Sequence, residues 1–384
     1  MEIIGLIAEY NPFHNGHKYQ INKIKEMFPD SLLIVNLSGN FTQRGEPSLI
    51  EKFTKSKIAI LEGIDIVIEL PYPFATGSAD FFAKGAISLL NAIKVDYLIF
   101  GSESNDLSSL KKLVSVQLNN DQYNLLCKVY LQSGYNYPTA LSLALKDLTN
   151  ISVTLPNDIL ALSYLKALIN QNTTITPLSI KRTNDYHSLK LKKIMSATAI
   201  REALKENKDI SLGVPYNTIN NLNDLHFSED YFPFLRYKIL VEKDLNVYFG
   251  IDEGISPRIK KAFLTSHTIK EALNKINTKR YTTPRINRML CNILVGYTKE
   301  EALNMKEITY IRVLDYSMKG QEYLHHIKTY LTLPLITTYS RLKDDMLKLE
   351  LRTTSIYAMS LDFLKQDKLI KEEYQHFPQS FKNK

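Results

Sequence analysis

The stretch "EIIGLIAEYNPFHNGH" (residues 2–17) decides the fold. An apolar run over 2–8 has strand character, and a helical pattern over 15–28 starts beside two histidines three positions apart. A buried strand running straight into a helix is the first half of a βαβ unit. Working outward, the unit recurs. A second strand, "SLLIVNLSG" (31–39), leads into the polar loop "NFTQRGEP" (40–47). A helix over 48–63 precedes the strand "DIVIEL" (65–70), and a helix over 78–93 precedes "VDYLIFG" (95–101). The apolar runs are nearly continuous, as strands covered on both faces require. The expected fold is therefore α/β, with a Rossmann-like parallel sheet.

Residues 106–148 read as two or three helices inserted after the fourth strand, and 156–170 as an amphipathic helix. A fifth strand is expected over 173–182, with Pro177 interrupting it or placing it at an edge. After a polar loop, a helix over 196–207 opens with Ser196 as its N-cap. "GVPYNTINNLNDL" (213–225) reads as a linker or irregular crossing. Beyond 230 the pattern is mostly helical, with "ITYIRVL" (308–314) as a short candidate strand. The expected organisation is a parallel-sheet α/β domain over 1–210 and a mostly helical, basic domain over 211–384.

With 384 residues, 44% hydrophobic and 23% charged, the composition is that of an ordinary globular protein. No stretch approaches the roughly 18 apolar residues of a membrane span, and the opening lacks a basic leader pattern. Cys127 and Cys291 match no metal or redox spacing. These features give the expectation of a cytoplasmic protein with no structural metal, no membrane association and no implied protein partner. The net charge is +8, unevenly spread. Residues 1–230 hold 22 Lys and Arg against 23 Asp and Glu, while residues 231–384 hold 26 against 17. The basic excess of the C-terminal part is either a solvated surface or a footprint for a polyanion such as RNA.

In an open parallel sheet, ligands bind outside the carboxyl ends of the strands. His14, Asn15, Gly16 and His17 fall at that end of the first strand, where a helix N-terminus favours an anion. Two imidazoles on one helical turn donate to phosphate oxygens, and Gly16 removes a side chain from the approach. The arrangement fits a nucleoside triphosphate attacked at its α-phosphate, with the histidines stabilising the developing charge. "MSATAIREAL" (195–204) supplies Ser196, Thr198 and Arg201 at a second helix start, which reads as the other half of the clamp or as an ordinary capped helix.

These stretches carry a resemblance. "HNGH" followed by "SATAIR" resembles the two motifs of the HIGH-type nucleotidyltransferase superfamily, with Met195 where an isoleucine is usual. "GLIAEYNPFHNGH", "SGNFTQRGEPSLIEKF", "ELPYPFATGSADFFAKGAI", "FGSE" and "LPNDILALSYLKAL" narrow it. Together they resemble the bacterial tRNA(Met) cytidine acetate ligase family, over the first 210 residues. The resemblance implies an ATP-dependent ligase that makes acetyl-adenylate from acetate and ATP. The acetyl group then passes to N4 of the wobble cytidine of elongator tRNA(Met), giving N4-acetylcytidine and AMP.

The family's ATP site maps onto Ile7, Ala8, Glu9, Tyr10, Asn11, Pro12, Phe13 and His14, continuing through Asn15, Gly16, His17, Lys18, Tyr19 and Gln20. It also takes in Gly101, Asn157 and Arg182. Gly101 would let backbone approach the adenosine, Asn157 would read adenine or ribose unless it is only a helix cap, and Arg182 would pair with phosphate. Magnesium is expected with ATP, although no carboxylate cluster announces its ligands. Arg44 and the backbone of Gly39 and Asn40, in the loop 40–47 and just before it, are the candidates for holding acetate or closing over the adenylate to exclude water. Lys275, Lys279, Arg280, Arg285 and Arg288 are the densest basic stretch and the candidates for tRNA contact, with Lys260, Lys261, Arg341 and Lys343 weaker. Two other readings stand beside this one. A small-molecule adenylyltransferase of cofactor metabolism would share the ATP motifs but has no use for the basic C-terminal part. A non-catalytic RNA-binding protein would have no use for an α-phosphate clamp.

Overall fold

The computed structural model describes residues 1–182, 195–252, 254–378 and 380–381. The polar loop expected before residue 196 lies almost wholly outside the described residues.

Five strands form the parallel core: β1 (Ile3–Ala8), β2 (Leu32–Ser38), β3 (Ile66–Leu70), β4 (Tyr97–Ser102) and β5 (Thr176–Lys181). Their order is β5-β4-β1-β2-β3, and every neighbouring pair among them is parallel. The chain builds outward from β1 to β3 and then crosses back to β4, so the topological switch lies between β1 and β4, where such sheets open a crevice. β1, β2 and β3 are almost entirely buried, which accounts for their unbroken apolar sequences. Among the described residues β5 pairs only with β4, so Pro177 sits on an edge strand. The insertion is three helices, Leu107–Asn119, Asp121–Gln132 and Tyr137–Thr149.

Two features depart from the sequence expectation. "ITYIRVL" forms β6 (Ile311–Ser317), a little later than expected, and it extends the sheet by pairing antiparallel with β3. β7 (Leu335–Ile336) and β8 (Ser380–Phe381) pair with β6. The sheet is thus mixed, and strands from beyond residue 210 belong to it. The stretch 213–225 is not a loose linker at its start. Asn15 N donates to Gly213 O and Asn15 Nδ2 to Leu212 O. Thr218 Oγ1 donates to Phe13 O at 3.1 Å. This crossing therefore clasps the start of the first helix. A Cβ on Gly213 would lie 2.5 Å from the Met195 sulfur, so the motif methionine packs directly on the clasp.

Candidate functional site

His14 is the N-cap of the helix Asn15–Met27, and its side chain and that of His17 form a reciprocal capping box. His14 Nδ1 accepts from Gly16 N at 3.0 Å, and His17 Nδ1 accepts from His14 N at 3.2 Å. A ring nitrogen that accepts from a backbone N–H carries no proton, so each neutral imidazole bears its hydrogen on Nε2. The rings stack at 3.7 Å between centroids. Tyr10 and Phe13 brace His17 from the other sides, at 4.8 and 5.4 Å. Burial pushes the His14 imidazole down to about 3, with Arg182 and Arg201 adding to the effect. Burial, then His14 and Arg182, push His17 well below the ordinary histidine range. Both are therefore neutral Nε2–H donors at pH 7.

The expectation that this helix N-terminus meets an anion needs a correction, because its amides are already bonded. Gly16 N and His14 N are taken by the imidazoles, Asn15 N by Gly213 O, and His17 N and Lys18 N by His14 O. An anion is met here by imidazole and guanidinium hydrogens, not by an array of backbone amides.

The second motif arrives at the same place. Ser196 caps the helix Ala197–Lys205, its side chain accepting from Ala199 N at 3.2 Å. Arg201 Nη1 donates to Asn11 O at 2.8 Å, and Nη2 lies 3.5 Å from both Thr198 Oγ1 and Glu46 Oε2. Ser196, Thr198, Arg201, His14, His17 and Arg182 all line one cavity of about 1270 Å³. Ile7, Ala8, Glu9, Tyr10, Asn11, Gln20, Gly101 and Asn157 line it too.

Other expected residues fall elsewhere or act differently. Pro12, Phe13, Asn15, Gly16, Lys18 and Tyr19 do not line the cavity. Pro12 follows a cis peptide bond from Asn11, and Phe13 is core. Lys18 pairs with Glu62 at 2.9 Å. Gly101 makes room for Arg182, whose Cγ would lie 3.1 Å from an added Cβ. Asn157 is not the cap of its helix, Pro156–Asn170, because Leu155 is. Its Nδ2 donates to Glu103 Oε1 at 2.5 Å. Asp158 in turn accepts from Ser102 Oγ and from the amides of Glu103 and Ser104, fixing the turn after β4.

Of the three candidates at the loop after β2, Gly39 and Asn40 are structural, and Arg44 lines the cavity beside Gln43. Asn40 Nδ2 donates to Thr354 Oγ1 at 2.9 Å and its Oδ1 accepts from Lys52 N, also at 2.9 Å. A Cβ on Gly39 would lie 2.9 Å from Glu69 Oε1. The loop is also pinned rather than free. Gln43 N donates to Glu9 Oε1 at 2.8 Å, and Arg288 Nη1 donates to Gln43 O at 3.2 Å. Gly45, at φ +72°, passes so close to the helix Thr283–Val295 that a Cβ there would meet Arg288 N at 2.2 Å. Among the basic candidates, Arg280, Arg285 and Arg288 line the cavity and Lys279 does not. Lys275 is spent on Thr265, its Nζ donating to the carbonyl at 2.7 Å.

Sequence reasoning missed Lys55. Its Nζ donates to Glu9 O, Ser38 O and Gly39 O at 3.1, 2.8 and 2.8 Å, clipping the ends of β1 and β2 together behind the site. Burial pushes its amine down to about 7. Three carbonyl oxygens around one nitrogen call for three hydrogens, so the ammonium form fits this cage. The available signal was a lysine on the apolar face of "KFTKSKIAIL". No group of three or more His, Cys, Asp or Glu suited to a metal occurs among the described residues. Glu9 is bonded to Gln43, and Asp80 to Ser163 and Lys166. Among the described residues, these carboxylates at the cavity are thus committed to protein partners.

Fold and site define the class: this is a HIGH-type nucleotidyl transferase, and the family described as HIGH Nucleotidyl Transferase matches residues 1–372. The tRNA(Met) cytidine acetate ligase of Geobacillus sp. (strain WCH70) is 38% identical over 97% of this chain and 98% of its own. That of Anoxybacillus flavithermus is 36% identical over 98% and 100%. The solved structure of Thermotoga maritima TmcAL bound with alpha-thio ATP matches with a TM-score of 0.89 at 28% identity, covering 98% of this chain and 99% of that one. Its apo form gives 0.91. The chain belongs to the tRNA(Met) cytidine acetate ligase family. The comparisons support this reading over a cofactor adenylyltransferase. No helix among the described residues is long and apolar enough to cross a membrane.

Proposed function

We propose that this chain is an ATP-dependent tRNA(Met) cytidine acetate ligase, with the cavity at the ends of β1 and β4 holding ATP. An acetate oxygen attacks the α-phosphorus, the bond to the β-phosphate oxygen breaks, and acetyl-adenylate and diphosphate form. The N4 amine of the wobble cytidine then attacks the acetyl carbonyl. The amine loses a proton, the carbonyl–phosphate bond breaks, and AMP leaves with the electron pair.

The observation that carries this reading is the convergence of two neutral, Nε2-protonated imidazoles with Arg182, Arg201 and the Ser196 turn around one cavity. His14 and His17 donate to the α-phosphate oxygens as charge grows on them, and the two guanidinium groups balance the triphosphate. Neutral imidazoles need no proton exchange to do this. Arg44 is the candidate for acetate, because it alone of the three loop candidates faces the cavity. The second step needs no side-chain nucleophile, since the mixed anhydride is already activated and positioning supplies the rate. Arg280, Arg285 and Arg288 are the proposed RNA contacts.

The test is incubation with labelled acetate and ATP, with and without bacterial tRNA. Label entering tRNA with AMP formation supports the ligase. Transfer of AMP to a small metabolite without tRNA, or ATP binding with no turnover, contradicts it.

A further inference from the structure

The cavity is larger than a nucleotide site needs. Small-ligand pockets run to about 300–1,000 Å³, and this one encloses about 1270 Å³. Elements far from the strand ends supply the rest of its wall. Tyr137 opens the inserted helix Tyr137–Thr149, and Phe249 stands in the loop before the helix Ser256–Leu264. Both line the cavity and yet remain 53% and 39% exposed. Phe249 is braced edge-on by Tyr297 at 5.6 Å, which fixes its ring.

The same cavity carries Arg280, Arg285 and Arg288. The Arg285 guanidinium lies over the Tyr281 ring at 4.7 Å. Arg288 is anchored on Gln43 O, and burial lowers it only to about 10, so it stays charged at neutral pH. Exposed rings in a concave wall, set among arginines, suit an unpaired nucleotide: the base stacks and the phosphate pairs. Acetate, with one methyl group, is too small to fill the space.

We propose, resting on the ligase reading above, that the part of this one cavity lined by Tyr137, Phe249, Arg285 and Arg288 receives the unpaired pyrimidine nucleotide of the RNA substrate. Tyr137 and Phe249 provide the stacking faces, and Arg285 and Arg288 the phosphate contacts. Activation and delivery then use different residues of one cavity.

The experiment compares full-length Tyr137→Ala, Phe249→Ala, the double variant and Tyr137→Phe in two assays. Acetate-dependent ATP–diphosphate exchange without RNA reads activation alone. Acetyl transfer to an anticodon stem-loop reads delivery. Loss of one base stack is worth about 1–3 kcal/mol, so each alanine variant is expected to raise the KM for RNA roughly 5- to 150-fold while exchange changes less than about twofold. Tyr137→Phe keeps the ring and is expected to behave as the unaltered protein. Exchange falling in parallel with transfer would place these rings in the activation site and overturn the proposal. So would a double variant with normal transfer, or faster exchange with hexanoate than with acetate, which would give this part of the cavity to an acyl chain. An unaltered protein that shows no acetate-dependent exchange would strike the ligase reading itself.

Discussion

Two charged clusters in this molecule behave in opposite ways. In one, Lys52 and Arg312 face Glu69 and Glu373 with no exposure to solvent. Lys52 Nζ is 2.6 Å from Glu69 Oε1 and 2.8 Å from Glu373 Oε2. Glu350 adds a bond from Tyr72 N, its carboxyl pushed well above the usual range by burial and by Glu69. In the other, His14, His17, Arg182 and Arg201 surround a cavity. The first balances its charges internally and joins β3 and β6 to the helix Phe363–Gln375, which holds the C-terminal part on the sheet. The second has donors and positive charge in excess and opens onto space. Balance marks scaffolding, and surplus donors mark the place for a triphosphate.

The comparison breaks or sharpens on several variants. The largest loss of stability is expected from Lys52→Met. It leaves buried carboxylates uncompensated, a cost of about 3–5 kcal/mol, measured by chemical denaturation. The sealed cluster also sets an acid limit. Burial alone would raise the Glu373 carboxyl, but Arg312 and Lys52 hold it at about 2. A depressed folded value contributes stability above the ordinary value of 4.5, and that contribution is lost as pH falls from there toward 2. Glu373→Gln is expected to flatten this part of the stability profile.

At the open cluster, His17→Ala is expected to lower acetate-dependent exchange about 10²–10³-fold, the loss typical for one donor to developing charge. Its denaturation midpoint and tRNA affinity should change little by comparison. Lys55→Met is expected to act on both sides of the comparison. It strips three buried carbonyls of their donor, at about 1–3 kcal/mol for each group left unsatisfied, and it raises the KM for ATP by loosening Glu9 against Gly39. The smallest effect is expected from Lys18→Ala. Its half-exposed pair with Glu62 is worth roughly 0–1 kcal/mol, and the KM for ATP should shift less than about threefold.

Much of the open cluster was legible in the sequence, because its parts are local. A strand running into His-x-Gly-His and a capped Ser-x-Thr-x-x-Arg turn each declare themselves within a few residues. The sealed cluster was not, since its partners lie 17 to 321 positions apart. Its traces were visible all the same: Glu69 inside "DIVIEL" and Arg312 inside "ITYIRVL" are charges where a buried strand should have none. A charge in such a run calls for a buried partner, and it would have joined the late strand to the sheet. Gly39 and Asn40 misled for the same reason. Their loop follows a strand at the crevice, but its first residues turn toward Glu69 and Thr354. At the expected division at 210 the sheet itself takes strands from both sides, because β6, β7 and β8 pair within it.

The central claim is that the two stacked imidazoles are neutral Nε2–H donors aimed at phosphate. The most direct measurement is ¹⁵N NMR of the histidine side chains, assigned through His14→Asn and His17→Asn and followed from pH 5 to 8 with and without an ATP analogue. Both rings should keep the proton on Nε2 across the range, with no titration near pH 6.5, and both Nε2–H signals should shift when the analogue binds. A midpoint near pH 6.5, a proton on Nδ1, or Nε2–H signals indifferent to the analogue would contradict it.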